Sequence, residues 1–221
     1  MNEEGTVSIY VGDTGTGKTY LAYDHFKAVL SATGRPGLIV DSMGARNFDD
    51  IRGRYLANTT DDALHTLYDR HQHAVFNPET PEESEILWGE VKTKVDRFCI
   101  FIDETSPWMS AHCAPKNLMF LIRSHRHRGH HMFLTTQYLG DFPPALLQCL
   151  TKVFIFRSSA PQTLDRLADT FPRLDLENIQ SLPDHQHIEF NPRIPPQPVK
   201  TVKTVNPVKP AEPAEPVPPV E

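Results

Sequence analysis

Residues 12–19 read Gly-Asp-Thr-Gly-Thr-Gly-Lys-Thr, a complete G-x-x-x-x-G-K-[ST] run, and no other stretch constrains the fold as much. It lies between an apolar, β-branched segment predicted as a strand over 6–11 and a segment predicted as a helix over 18–31. On that helix Ala22, Phe26, Val29 and Leu30 recur at helical spacing. Strand, glycine loop and helix in that order place a positive helix end and inward-facing backbone N–H groups around an anion. Gly12, Asp13, Thr14, Gly15, Thr16 and Gly17 are then the expected cradle of a polyphosphate. Lys18 is the expected counter-charge to its β- and γ-phosphates, and the Thr19 hydroxyl a ligand of Mg²⁺. Glycine usage near 7% makes a chance match in a chain of this length on the order of one in a hundred. ATP with Mg²⁺ is the expected ligand, although no base-reading motif separates ATP from GTP.

Two further apolar runs end in polar groups. Phe98-Cys99-Ile100-Phe101-Ile102 is bounded and fully apolar, hence a buried strand, and it closes on Asp103-Glu104. A carboxylate at the C-terminal edge of such a strand reaches the Mg²⁺ water shell, the Walker B role expected of Asp103. The acid that follows, Glu104, is placed to polarise an attacking water. That favours hydrolysis over a nucleotide kinase, which needs a second acceptor site instead. His131-Met132-Phe133-Leu134-Thr135-Thr136 is a third strand, ending on Gln137. In a parallel sheet Gln137 shares an edge with Lys18 and Asp103, where it can sense the γ-phosphate or position water.

Strand and helix patterns alternate along the chain, which predicts an α/β fold with a mostly parallel sheet flanked by helices. Strands are expected over 6–11, 38–41, 98–102, 132–136, 153–156 and 187–190. Helices are expected over 18–31, 61–71, 83–95, 116–124, 144–150 and 161–170, and residues 44–94 are polar and hard to assign. The strands over 6–11 and 98–102 should lie on either side of the one over 132–136. Ten of the 20 prolines fall in residues 192–221, so that stretch is an extended, disordered tail and residues 1–191 form the one folded domain. No apolar run approaches a membrane span, and the acidic start MNEEGTVSIY has no signal-peptide pattern. The odd, sparse set Cys99, Cys113 and Cys149 is that of a reduced intracellular protein. Cys99, within a strand, is expected to be inert. Trp88 and Trp108 are expected to be packing residues.

Net charge is −6, yet no acidic residue occurs from Thr105 to Gly140, where Lys116, Arg123, Arg126, Arg128 and five histidines cluster. Besides a plain solvated basic face, three readings are open. One is an arginine finger supplied to a neighbouring subunit's γ-phosphate, for which Arg126 or Arg123 is the best candidate. A second is contact with a nucleic-acid backbone. The third is zinc held by His125, His127, His130, His131 and Cys113, for which the spacing is poor because paired, separated ligand couples are missing.

The order and spacing of GDTGTGKT (12–19), FCIFIDE (98–104) and SHRHRGHHMFLTTQ (124–137) resemble the FtsK–HerA superfamily of P-loop ATPases. Within it they are similar to the genome-packaging ATPases of internal-membrane, tectivirus-like icosahedral bacteriophages. The third motif, Arg-His followed by a strand closing on Thr-Gln, is the specific one. Arg126-His127 aligns best with it, and Arg128 is the rival. The resemblance implies a RecA-like core and a homo-oligomeric ring, pentamer or hexamer. It implies double-stranded DNA pumped into a preformed capsid, with capsid or portal-vertex proteins as partners, and a location at the virion's packaging vertex and in the host cytoplasm. Zot-like ATPases of filamentous phages share the same motif but continue into a membrane anchor. Conjugative coupling ATPases are larger and membrane-bound. A nucleotide-binding assembly factor that does not hydrolyse ATP is the non-enzymatic alternative; it has no use for Glu104 or Gln137.

Overall fold

The computed structural model describes residues 4–42, 48, 50–51, 54–70, 72–94, 97–110, 114–172, 174–192 and 202–204. Nine strands form one sheet: β1 (Thr6–Val11), β2 (Gly37–Asp41), β3 (Arg54–Ala57), β4 (His73–Phe76), β5 (Cys99–Asp103), β6 (His131–Thr136), β7 (Lys152–Phe156), β8 (Gln186–Phe190) and β9 (Val202–Thr204). Their order is β3-β4-β2-β5-β6-β1-β7-β8-β9. All pairings from β3 to β7 are parallel, and β8 and β9 add antiparallel at one end. The strand carrying Gln137 therefore lies between the strands of the glycine loop and of Asp103, as the sequence predicts.

Period-2 alternation divides the strand side chains between two cores. Leu38, Val40, Ile100, Ile102, Met132, Leu134, Val7, Ile9 and Val11 face one side. There they pack against α2 (Thr60–Tyr68), α3 (Pro81–Lys94), α4 (Lys116–Arg128), α5 (Pro144–Leu147), α6 (Pro161–Thr170) and α7 (Leu176–Ser181). Ile39, Phe101, Phe133, Tyr10 and Phe154 face the other side, covered by α1 (Lys18–Thr33) through Leu21, Ala22, Phe26 and Leu30. Trp88 is fully buried and donates from Nε1 to Ser84 Oγ at 2.9 Å, while Trp108 packs half-buried against the larger core. Both are packing residues.

Several boundaries differ from the sequence expectation. α4 runs on to Arg128 rather than stopping at 124, because its last turn is the basic run His125–Arg128. The guanidinium groups of Arg126 and Arg128 are favoured at that helix end, and Gly129 closes it at φ 68°. α5 ends at Leu147, three residues short of the expected 150. β3, β4 and α7 lie where no element was assigned. β3 is a half-exposed edge strand with Leu56 pointing outward, and so carries no strong alternation. Of the proline-rich tail, Val202–Thr204 is extended and tied to β8. The rest of 193–221 lies outside the described residues, as do His112 and Cys113.

Candidate active site

β1 delivers the chain to the C-terminal edge of the sheet, where residues 12–17 turn into α1. Gly12 (φ 158°) and Gly17 (φ 94°) hold the two ends of the turn. A Cβ on Gly17 would sit 2.7 Å from His185 Nδ1, and one on Gly12 2.6 Å from Phe156 Cβ, so only glycine fits either place. Thr14 and Gly15 form the exposed tip, while Thr16, Lys18 and Thr19 are buried. The loop is tied down on both sides. Asp13 N–H donates to Arg157 O at 2.9 Å, and the Asp13 carboxylate accepts from Ser159 Oγ at 2.8 Å and Ser159 N at 3.0 Å. His185 N–H donates to Thr16 O at 3.0 Å, and the Thr16 hydroxyl caps Asp13 O at 2.8 Å.

Asp103 and Glu104 arrive on the same edge from β5, 5% and 8% exposed. Glu104 has φ 64°, a left-handed backbone that costs a non-glycine residue about 1–2 kcal/mol, and three groups hold it there. Its N–H donates to Thr135 Oγ1 at 2.8 Å, Thr135 Oγ1 donates to Asp103 Oδ1 at 3.1 Å, and Ser42 Oγ donates to Glu104 O at 2.7 Å. The side chain is oriented as firmly. Ser106 Oγ (2.7 Å), Ser106 N (3.3 Å) and Gln137 N (3.3 Å) all donate to its Oε1. Among the described residues every hydrogen bond to this carboxylate ends on Oε1, which leaves Oε2 as the oxygen for a water.

Gln137 follows β6 directly and joins Asp13, Thr14, Tyr138, Arg157 and Ser159 in lining an open cleft of about 870 Å³ on the outer side of the glycine loop, away from Lys18, Thr19, Asp103 and Glu104. That is within the ordinary range for a small-molecule site. Gly12 N–H donates to Thr136 O at 3.3 Å, so β6 touches the glycine loop on one flank and the Asp103–Glu104 turn on the other. Thr19 and Asp103, both more than nine-tenths buried, offer one hydroxyl and one carboxylate. This hard-oxygen pair suits Mg²⁺, which keeps the rest of its octahedron for phosphate oxygens and water.

The structure thus brings Lys18, Thr19, Asp103, Glu104 and Gln137 to one edge, and it does not bring Arg126 there. α4 ends beside the start of β6, the opposite edge of the sheet. Arg123 and Arg126 are exposed there, and Arg128 donates from Nη1 to Lys92 O and lies 5.6 Å over the Phe120 ring. The histidines do not gather around a metal. His125 Nδ1 donates to Ile122 O at 2.6 Å, His130 Nδ1 accepts from Phe98 N at 3.3 Å, and His131 Nδ1 pairs with Thr6 Oγ1 at 2.9 Å. Among the described residues no three His, Cys, Asp or Glu side chains could hold one. Burial holds the His125 imidazole below its ordinary pKa, with the nearby Arg126 adding to the effect. Burial also raises the Cys99 thiol to about 11, well away from reactive thiolate.

Sequence reasoning missed the supports Ser42, Ser106, Thr135, Ser159 and His185. It also passed over Asp41, the buried acid that ends β2. Leu38-Ile39-Val40-Asp41 is an apolar strand ending in an acid, the same pattern that identified Asp103.

No protein-family model matches the chain, and no curated protein sequence does. Among solved structures, the genome packaging NTPase B204 of Sulfolobus turreted icosahedral virus 2, in complex with AMPPCP, superposes with a TM-score of 0.71 at 21% identity, over 94% of this chain and 100% of that one. The DNA-packaging ATPase B204 of Sulfolobus turreted icosahedral virus gives 0.69 at 19%, over 95% and 100%. VirB4 of Thermoanaerobacter pseudethanolicus gives 0.59 at 10%, over 92% and 90%. A mostly parallel sheet with its glycine loop, acidic strand and glutamine strand in the order found here is the RecA-like P-loop NTPase fold, and this chain shares that fold with the viral packaging NTPases and with VirB4.

Proposed function

We propose that the protein is a Mg²⁺-dependent ATPase that drives double-stranded viral DNA into a preformed capsid as a homo-oligomeric ring. It would act at the packaging vertex of the virion and in the host cytoplasm, against capsid or portal-vertex proteins. The observation that carries the reading is the Glu104 carboxylate, fixed through Oε1 by Ser106 and Gln137 beside the glycine loop. A nucleotide used only as a structural ligand needs no such base. The likeness in fold to packaging NTPases supports the rest of the assignment.

In this reading the backbone of residues 12–17 and the Lys18 ammonium hold the triphosphate. Thr19 and Asp103 would hold Mg²⁺, which when bound offsets phosphate charge. Glu104 Oε2 accepts a proton from water as the water oxygen bonds to the γ-phosphorus, the bond from that phosphorus to the β–γ bridging oxygen breaks, and ADP leaves. Gln137, joined to Glu104 through its backbone N–H, helps to orient the water. Arg126 lies too far from its own loop to assist, so it serves a neighbouring subunit's γ-phosphate. The test is steady-state phosphate release from ATP, with and without linear double-stranded DNA and with a nucleoside monophosphate as acceptor. The expected result is release that DNA accelerates. Phosphoryl transfer to the monophosphate, or nucleotide binding without any release, would overturn the proposal.

A further inference from the structure

We infer that Asp41 is a positioning residue of the metal site, holding its water shell jointly with Asp103; this rests on the ATPase reading above. Asp41 closes β2 and is the register partner of Asp103 on β5. Backbones in such a pair run about 4.8 Å apart. Both side chains leave the sheet on the same face: Ile39 and Phe101, two residues earlier on each strand, belong to the core beneath α1, and period 2 returns Asp41 and Asp103 to that side. α1 begins with Lys18 and Thr19, the expected phosphate and metal ligands, above this face. Asp41 is 4% exposed and Asp103 5%. The ends of the two strands are also fastened together, since the single Ser42 O–H lies within donating reach of both Asp103 O and Glu104 O. Two buried acids side by side suit hydrated Mg²⁺, which recruits few direct protein ligands and several water-mediated ones.

The experiment uses Mn²⁺ as the probe. Mn²⁺ is titrated into the full chain with ADP present, and bound and free ion are separated by electron paramagnetic resonance. In parallel, a fluorescent ATP analogue is titrated in EDTA. Outer partners of a metal site are worth about 10–100-fold in affinity. Asp41→Asn should weaken Mn²⁺ binding by that range and leave metal-free nucleotide affinity within about threefold. Asp103→Asn serves as the internal reference. Loss of Mn²⁺ binding in Asp103→Asn with wild-type binding in Asp41→Asn overturns the role of Asp41 and leaves the ATPase reading standing. Unchanged binding in both variants overturns the metal assignment of the site itself. A fall in metal-free nucleotide affinity with Mn²⁺ affinity unchanged assigns Asp41 to packing beneath the loop and also overturns the inference. If Asp41→Asn does not fold, as judged by its melting curve, the smaller Asp41→Ser is measured by the same criteria.

Discussion

Replacing Glu104 by glutamine should separate binding from turnover, and the hydrogen bonds say why. Three donors, Ser106 Oγ, Ser106 N and Gln137 N, converge on Oε1. In the variant they fix the amide with its oxygen at that position, so the NH₂ group takes the place of Oε2. A group that accepted a hydrogen bond from water becomes one that only donates, and no proton can be removed there. General-base assistance contributes about 10²–10⁴ in rate, which corresponds to roughly 2.7–5.4 kcal/mol of barrier. The backbone at φ 64° and the Oε1 contacts survive the substitution, so stability should change by less than about 1 kcal/mol. The assay is phosphate release under saturating ATP, alongside equilibrium binding of a fluorescent ATP analogue and a melting curve. The expected pattern is kcat down by at least two decades, affinity within threefold and an unchanged Tm. A wild-type rate would refute the base assignment. A lost rate accompanied by lost binding would refute the argument that Oε1 and Oε2 have separate tasks.

Gly17→Ala forces a side chain into a left-handed backbone and against His185, so it should cost about 2–4 kcal/mol, lower Tm by roughly 5–15 °C and abolish nucleotide binding, as read by calorimetry. Arg126→Ala should lower phosphate release by about 10³-fold or more, and mixing it with Glu104→Gln should restore activity at interfaces that pair an intact Glu104 with an intact Arg126; mixed rings that form and stay inactive would remove Arg126 from the chemistry. Burial holds the His125 pKa below its ordinary value of about 6.5 in the folded chain, so the unfolded state binds more protons as pH falls through that range. Stability should therefore fall as pH drops from 7 to 5.5, and His125→Gln should flatten that slope in melting curves. Cys99, raised to about 11 and fully buried, should resist an alkylating reagent in the native state and react once urea unfolds the chain.

The central strands were legible because each is short, apolar and bounded, and because each ends in a group whose chemistry has meaning at a sheet edge. Asp103, Glu104 and Gln137 were found that way, and their order across the sheet followed. The periphery was not legible for a physical reason. β3 is an edge strand with Leu56 exposed, and β4 is the four-residue His73–Phe76, too short for a period to register. The basic run 125–128 reads as loop-like polarity in sequence, whereas in the fold it is the last turn of α4, where Arg126 and Arg128 offset the helix dipole. The supports of the site were harder still. Ser106, Thr135 and Ser159 act through hydroxyl groups, and nothing in a single sequence separates a hydroxyl that orients a carboxylate from one that merely meets solvent.

β6 has a mechanical consequence. Six residues at about 3.3 Å each make a rod some 20 Å long, hydrogen-bonded along both flanks to β1 and β5. One end carries Gln137 and the other abuts the helix end that bears Arg126. A rod laced on both sides cannot slide past its neighbours without breaking two ladders at once. A displacement imposed at the nucleotide end is therefore expected to reach the arginine end with β1, β5 and β6 moving as one body.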